Sequence, residues 1–245
     1  MEVKICAPHP AALFSRETAE FLTSIAGVPV VPVGPPDNGI TLEQVVDEIE
    51  ERRRSLDLEQ WVIWGMSGGS FVAQLYAHLY PSRVIGLVLA SSGPYFRTTV
   101  EDPECIVCPR NLAWCARLDS AGLLSGPYDS GATIWQVVDG VGWVFRREGG
   151  AALLVSPDPP TAELKRIMPA LWRFDSQEWL PRVTQPSLVM CGTADPIVPL
   201  KHALALAELL PNAHFVPIKE AGHIPLTDQR VEVETAIRSF LAKLS

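Results

Sequence analysis

Several things are scarce in this chain of 245 residues, and each scarcity removes a class of function. Basic charge is the first: 20 Lys and Arg stand against 28 Asp and Glu, for a net charge of −8. The longest basic run is Arg52-Arg53-Arg54. The positive patch that neutralises phosphates is therefore missing, and neither nucleic acid nor an anionic membrane surface is expected as a partner. No apolar run approaches the ~18 residues of a membrane span, and the N-terminal MEVKICAPHP lacks a basic stretch leading into an apolar one. Such a chain is expected to be a soluble protein of the cytosol. Cysteine is sparse too: five, at positions 6, 105, 108, 115 and 191, an odd number in a chain too long to need disulfide staples. Cys105-Ile-Val-Cys108 with Cys115 nearby raises a metal or redox reading. A zinc site wants a fourth ligand, however, and no histidine lies close in sequence, so these read as reduced, partly buried thiols. No Gly-x-Gly-x-x-Gly follows the first strand and the histidines lack metal-ligand spacing, so neither a metal nor an organic cofactor is expected. Internal repeats and low-complexity segments are absent.

What is present is ordinary globular composition, 47% hydrophobic and 20% charged, in a chain long enough to close one large α/β core. Short β-rich runs recur at 2–7, 28–33, 60–65, 83–90, 187–192 and 214–219, with helical patterns between them. Six buried strands alternating with helices predict a doubly wound, mainly parallel sheet. Thr41 followed by Gln44 is a capping box, and Leu42, Val45, Val46 and Ile49 then form one apolar stripe. Phe71, Val72, Leu75, Tyr76 and Leu79 keep helical spacing until Pro81. Val231, Val233, Ile237, Phe240 and Leu241 predict a last helix over the far end of the sheet. The interval from Gly93 to about Pro186 shows no clear strand and is too long for a plain crossover. It reads as a mostly helical cap, residues 93–186, inserted into a core of residues 1–92 and 187–245.

One stretch carries chemistry: WVIWGMSGGSF, residues 61–71, a strand, a glycine-rich turn and a helix. A hydroxyl can be held above the carboxyl edge of a parallel sheet when its residue occupies a sharp strand-to-helix turn. Crowding there requires small residues two before and two after it, and Gly65 and Gly69 meet that need around Ser67. The N–H of Gly68, at the N-terminus of the helix, then faces whatever Ser67 attacks and can hold a developing oxyanion. A serine also needs a base, and the base an orienting acid.

In these residues the chain resembles the α/β-hydrolase superfamily, whose nucleophile elbow reads Gly-x-Ser-x-Gly. The resemblance implies a chain order of serine, acid, histidine, with the acid after a late strand and the histidine after the last. Cys191-Gly-Thr-Ala-Asp195-Pro and Glu220-Ala-Gly-His223-Ile-Pro sit in those two places, 128 and then 28 residues further on. Ser67, Asp195 and His223 are thus the expected catalytic triad, while His78, His202 and His214 fall within helix or strand patterns and read as structural. The resemblance also implies a second oxyanion donor from the loop after the first strand, where relatives usually carry His-Gly-x. Here the loop reads Ala7-Pro8-His9-Pro10-Ala11, and the prolines have no N–H, which leaves the backbone of His9 in the donor position, with Ala11 the alternative. Relatives also generally begin with an antiparallel hairpin for which this chain has no room, so the sheet is either a minimal all-parallel one or truncated relative to its kin.

With serine at the elbow, the implied chemistry is acyl transfer to water rather than the alkyl transfer of aspartate-bearing members. Trp114, Trp135, Trp143, Trp172 and Trp179, with Tyr95, Phe96, Tyr128 and Phe145, fall in the insertion and suggest an apolar pocket. Met66, Trp135 and Trp143 are the candidate substrate-lining residues. The leading expectation is a carboxylic-ester hydrolase for small to medium, fairly apolar esters. Lactone, carbon–carbon and aminopeptidase-type hydrolysis remain alternatives, as does a non-catalytic ligand-binding member of the same fold. An aminopeptidase would need cap carboxylates for a substrate ammonium, from among Glu101, Asp102, Glu104, Asp129, Asp139, Glu148 and Glu178. The His-Gly-Gly-Pro-Gly loop usual in the proline iminopeptidase branch is absent.

Overall fold

The computed structural model describes residues 4–8, 16–34, 41–105, 142–148, 151–156, 167 and 169–244. In chain order the core elements are β1 (Ile5–Pro8), α1 (Arg16–Ala26), β2 (Val30–Val33), α2 (Leu42–Ser55), β3 (Trp61–Met66), α3 (Gly68–Leu79) and β4 (Val84–Ala90). The insertion contributes α4 (Arg97–Val100), β5 (Gly142–Glu148) and β6 (Ala151–Ser156). Then follow β7 (Ser187–Gly192), α5 (Leu200–Leu209), β8 (Ala213–Ile218), α6 (Pro225–Asp228) and α7 (Arg230–Leu241).

Six strands form one sheet in the order β2-β1-β3-β4-β7-β8, and every pairing in it is parallel. Burial of both faces explains why β1, β3, β4 and β7 read as apolar runs, whereas the edge strands β2 and β8, expected to be buried like the rest, are only partly covered because each pairs on one side alone. On β3, Trp61 and Ile63 pack into one core with α2, α3 and α5, through Val45, Ile49, Tyr76 and Leu206. Val62 and Trp64 point the other way, into a core with α1 and α7, through Leu22, Ile25, Ile237 and Phe240. The strand order reverses at β1, so the carboxyl ends of β1 and β3 flank a crevice, the place where open α/β sheets bind ligands.

The helices form for local reasons. Thr41 accepts from the Gln44 N–H at 3.2 Å while the Gln44 amide accepts from the Thr41 N–H at 3.0 Å, the capping box that the sequence predicts. Such a cap is worth about 1 kcal/mol. Leu42, Val45, Val46 and Ile49 are buried as expected.

Three expectations need correction. Val231 is 80% exposed, because at 100° per residue it lies well off the face that buries Val233, Ile237, Phe240 and Leu241. Leu79 is 48% exposed at the end of α3. And the interval read as strandless contains β5 and β6, paired antiparallel from Gly142↔Ser156 to Glu148↔Ala151. The expectation of a mostly helical insertion otherwise falls largely on residues outside those described. The stems of the insertion are tied together: the Phe96 N–H donates to the Phe174 carbonyl at 3.2 Å and the Ser176 N–H to the Pro94 carbonyl at 2.8 Å.

Candidate active site

Ser67 connects β3 to α3 with φ 50° and ψ −121°, a conformation that a residue with a side chain adopts only when its surroundings force it. The forcing groups are visible. The Ser67 N–H donates to the Ala90 carbonyl of β4 at 2.9 Å, and its own carbonyl accepts from the Ser70 N–H at 3.0 Å. A Cβ on Gly65 would stand 2.5 Å from Ser70 Cα and 2.6 Å from the Gly69 carbonyl oxygen, so the turn closes only over a glycine. Gly68 opens α3, and the first N–H groups of a helix have no partner within it.

Asp195 and His223 reach Ser67 from the carboxyl ends of β7 and β8. After β7, Asp195 turns its carboxylate back onto its own loop, where Oδ1 accepts from the N–H of Ile197 and of Val198, both at 2.9 Å. Gly192 lets the two loops touch: a Cβ there would collide with the carbonyls of Ala221 and Gly222. The Ala194 N–H donates to the Ala221 carbonyl at 2.9 Å and the Glu220 N–H to Thr193 Oγ1 at 3.0 Å, which locks the acid loop to the histidine loop. Asp228 completes the clamp by accepting from the Gly222 N–H at 2.8 Å.

The result is a continuous hydrogen-bonded line. Ser67 Oγ lies 3.0 Å from His223 Nε2, and His223 Nδ1 lies 2.9 Å from Asp195 Oδ2 and 3.1 Å from Oδ1. The Asp195 side chain is wholly buried and His223 is buried, while Ser67 remains partly accessible. Nδ1 carries the proton toward the carboxylate, so Nε2 is left to accept from the serine hydroxyl. Cys191 is buried beneath Asp195, with Sγ 3.7 Å from Oδ2; burial raises its thiol pKa well above the usual value, and the neighbouring carboxylate raises it further.

Of the other expected site residues, Met66 is half-buried at the end of β3 and faces a small pocket. His9, Ala11, Trp135, Cys108 and Cys115 lie outside the described residues, as does the side chain of Trp143, whose backbone belongs to β5. Cys105 is buried and its Sγ donates to the Ile197 carbonyl at 2.9 Å, which ties the insertion to the acid loop. Among the described residues no cluster of His, Cys, Asp or Glu is placed to hold a metal ion.

Of the histidines read as structural, His202 and His78 have definite partners, while His214 is exposed on β8. His202 Nε2 lies 2.7 Å from Asp102 Oδ2 and Nδ1 lies 3.3 Å from the Tyr95 hydroxyl, a buried link between α5 and the first stem of the insertion. His78 stacks on Trp179 at 4.5 Å. Sequence reasoning missed Ser91, which leaves β4 at φ 50° next to the elbow, and whose buried Oγ has no partner among the described residues. Nothing in its local sequence signals the left-handed backbone.

Among the described residues no helix is long and apolar enough to cross a membrane. The model of the alpha/beta hydrolase family matches residues 17–236. The chain is similar to a pimeloyl-[acyl-carrier protein] methyl ester esterase from Aromatoleum aromaticum, with 28% identity over 84% of this chain and 83% of that protein. It is similar to a putative carbamate hydrolase from Yersinia enterocolitica, with 26% identity over 83% of this chain and 71% of that one. A poly(3-hydroxyalkanoate) depolymerase from Ectopseudomonas oleovorans is 27% identical over 76% of this chain, which spans 62% of its length. Among solved structures, an alpha/beta fold hydrolase from Bacillus anthracis superposes with a TM-score of 0.73 at 15% identity, covering 97% of this chain and 91% of that one. A thermophilic esterase from Thermogutta terrifontis does so with 0.64 at 20% identity, covering 99% and 90%. The parallel sheet, the elbow and the matched family model agree, and the chain belongs to the alpha/beta hydrolase family.

Proposed function

We propose that this hydrolase cleaves carboxylic esters of small to medium, fairly apolar substrates by way of an acyl-enzyme on Ser67. The observation that carries the reading is the unbroken line from Ser67 Oγ through His223 to Asp195, with contacts of 3.0 and 2.9 Å. His223 Nε2 takes the serine proton as Oγ attacks the ester carbonyl, and Asp195, held by two backbone donors, orients the imidazole and stabilises its cation. The oxyanion meets the Gly68 N–H and, in this reading, that of His9, or of Ala11. His223 then returns the proton to the leaving alcohol, and water releases the acid by the same steps in reverse roles. The names of the similar proteins, two of which hydrolyse esters or polyesters, support this reaction class.

An aminopeptidase reading is weakened at the insertion. Three of the carboxylates that could hold a substrate ammonium are engaged: Asp102 and Glu104 with Lys201 at 2.8 and 3.2 Å, and Glu101 with Arg97 at 2.9 Å. The decisive experiment compares wild type and Ser67→Ala on p-nitrophenyl esters from acetyl to long acyl chains, with a fluorophosphonate probe alongside. Nitrophenol release by the wild type alone is the expected result. Labelling of Ser67 without turnover of any ester would reject the substrate class, and absence of labelling would favour a ligand-binding role.

A further inference from the structure

The first stem of the insertion grips the acid loop at two points. Oδ2 of Asp102 meets two residues in the first turn of α5, the helix that follows the loop: Lys201 Nζ at 2.8 Å and His202 Nε2 at 2.7 Å. Its Oδ1 accepts from the Glu104 N–H at 2.9 Å, and its carbonyl accepts from the Cys105 N–H at 2.9 Å. The stem is thereby fixed to α5, and Cys105 is delivered to the loop itself, where Sγ donates to the Ile197 carbonyl at 2.9 Å. Both Asp102 and Cys105 are buried.

The carbonyl that Cys105 holds belongs to the peptide unit whose N–H, that of Val198, donates to Asp195 Oδ1 at 2.9 Å. A trans peptide unit is planar, with its C=O and N–H pointing in opposite directions, so a group that fixes one end aims the other. Prolines at 196 and 199 fix φ on either side, which leaves this unit as the part of the loop that an outside contact can orient. The bond from the thiol also polarises the amide, and a polarised N–H is the stronger donor to a carboxylate. Asp195 in turn meets His223 Nδ1 at 2.9 Å through Oδ2. We infer that Cys105 is a positioning residue for the reaction: through the Ile197–Val198 peptide it sets where the acid carboxylate stands against His223. This role rests on the reading of Ser67, Asp195 and His223 as a catalytic triad. It adds a residue of the insertion to the groups that act on the chemistry itself, whereas a residue that only shapes access acts on the limbs of the substrate.

The test separates the thiol from the stem that carries it. Cys105→Ala removes the donor, Cys105→Ser keeps one, and Val100→Ala truncates a buried apolar side chain of α4 in the same stem. Turnover of p-nitrophenyl acetate and the rate of labelling by a small fluorophosphonate are measured for each, with Tm alongside. Cys105→Ala is expected to lower kcat and the labelling rate by the same factor, about tenfold, with KM within about twofold of wild type, since a full ångström of misplacement at the reacting groups costs on the order of a hundredfold. Cys105→Ser is expected to recover both rates to within about threefold of wild type, because its hydroxyl can donate to the same carbonyl. Val100→Ala is expected to leave both rates unchanged although its Tm falls. The Val198 amide reports on the loop without turnover: its hydrogen exchange, followed by NMR, is expected to be about tenfold faster in Cys105→Ala and unchanged in Val100→Ala. Wild-type rates in Cys105→Ala, equal losses in Cys105→Ala and Val100→Ala, or a Cys105→Ser variant as slow as Cys105→Ala would each overturn the positioning role. If wild type neither turns over an ester nor is labelled, the triad reading fails by itself, and exchange at Val198 alone decides whether Cys105 holds the loop.

Discussion

At Ser67 the backbone holds φ at 50°, and a non-glycine residue in that region costs on the order of 1–3 kcal/mol. The strain is imposed by neighbours, chiefly the close approach of Gly65 to Ser70 and Gly69. Gly65→Ala tests this. A new Cβ 2.5 Å from Ser70 Cα must push the first turn of α3 away by several tenths of an ångström or more, and Ser67 moves with it. The variant is expected to stay folded and to lose turnover on the order of a hundredfold, since a misplacement near 1 Å at a reacting group has that effect. Circular dichroism and ester kinetics check it, and unchanged turnover would mean that the turn is slack. Ser67, Asp195 and His223 were legible because the proposed chemistry demands particular residue types after particular strands. Ser91 was not, because two adjacent serines announce nothing of the left-handed backbone with which the chain leaves β4, where the Ser91 N–H donates to the Met190 carbonyl of β7 at 2.8 Å.

Elements were legible wherever their apolar spacing was simple. β3 and β4 read as strands because both faces are buried, and α2 showed its cap and its stripe. The hairpin β5–β6 lies in the interval expected to hold no strand, although Gly149-Gly150 separates two β-rich runs in sequence, which is itself a hairpin signal. Between elements, the link from α5 to the first stem depends on a neutral imidazole. Burial lowers the pKa of His202 against the pull of Asp102, and burial with Arg182 nearby lowers that of His78. Below the ordinary value of 6.5 the unfolded chain takes up protons that the folded imidazoles refuse. Their contribution to stability is therefore complete above that pH and is lost as pH falls from it toward the folded values. For Asp102, burial alone would raise the carboxyl pKa. Hydrogen bonds from Lys201, the Glu104 N–H and His202 outweigh burial and lower it below 3.8, so its window lies at stronger acid. Scanning calorimetry from about pH 7.5 to about pH 5 is expected to show a steeper fall of Tm in wild type than in His78→Gln/His202→Gln. Parallel curves would place the pH dependence elsewhere.

Across the whole molecule, the sheet is interrupted in sequence but not in space. β7 arrives after the insertion and pairs directly with β4, from Leu87↔Ser187 to Ala90↔Met190. Apart from the bond from Cys105 Sγ to the Ile197 carbonyl, the described hydrogen bonds that hold the elbow, the acid loop and the histidine loop run to residues of the sheet, its loops and α6. The stems supply further packing, with Val100, Cys105, Ile167 and Leu171 buried. If the core is one cooperative body and the rest of the insertion shapes only substrate access, residues 106–166 are dispensable for folding. A linker of about ten Gly and Ser residues, which reaches up to roughly 33 Å when extended, rejoins the stems in the shortened chain. The shortened protein is expected to melt in a single transition and to be labelled at Ser67 by the fluorophosphonate. Its kcat/KM for longer esters should fall at least tenfold more than for p-nitrophenyl acetate, since a cap acts on the limbs of the substrate and the elbow on its carbonyl. Loss of labelling in a folded protein would show that the removed span helps to build the oxyanion site or to place His223. A broad, non-cooperative melt would show instead that the core and the insertion stand or fall together.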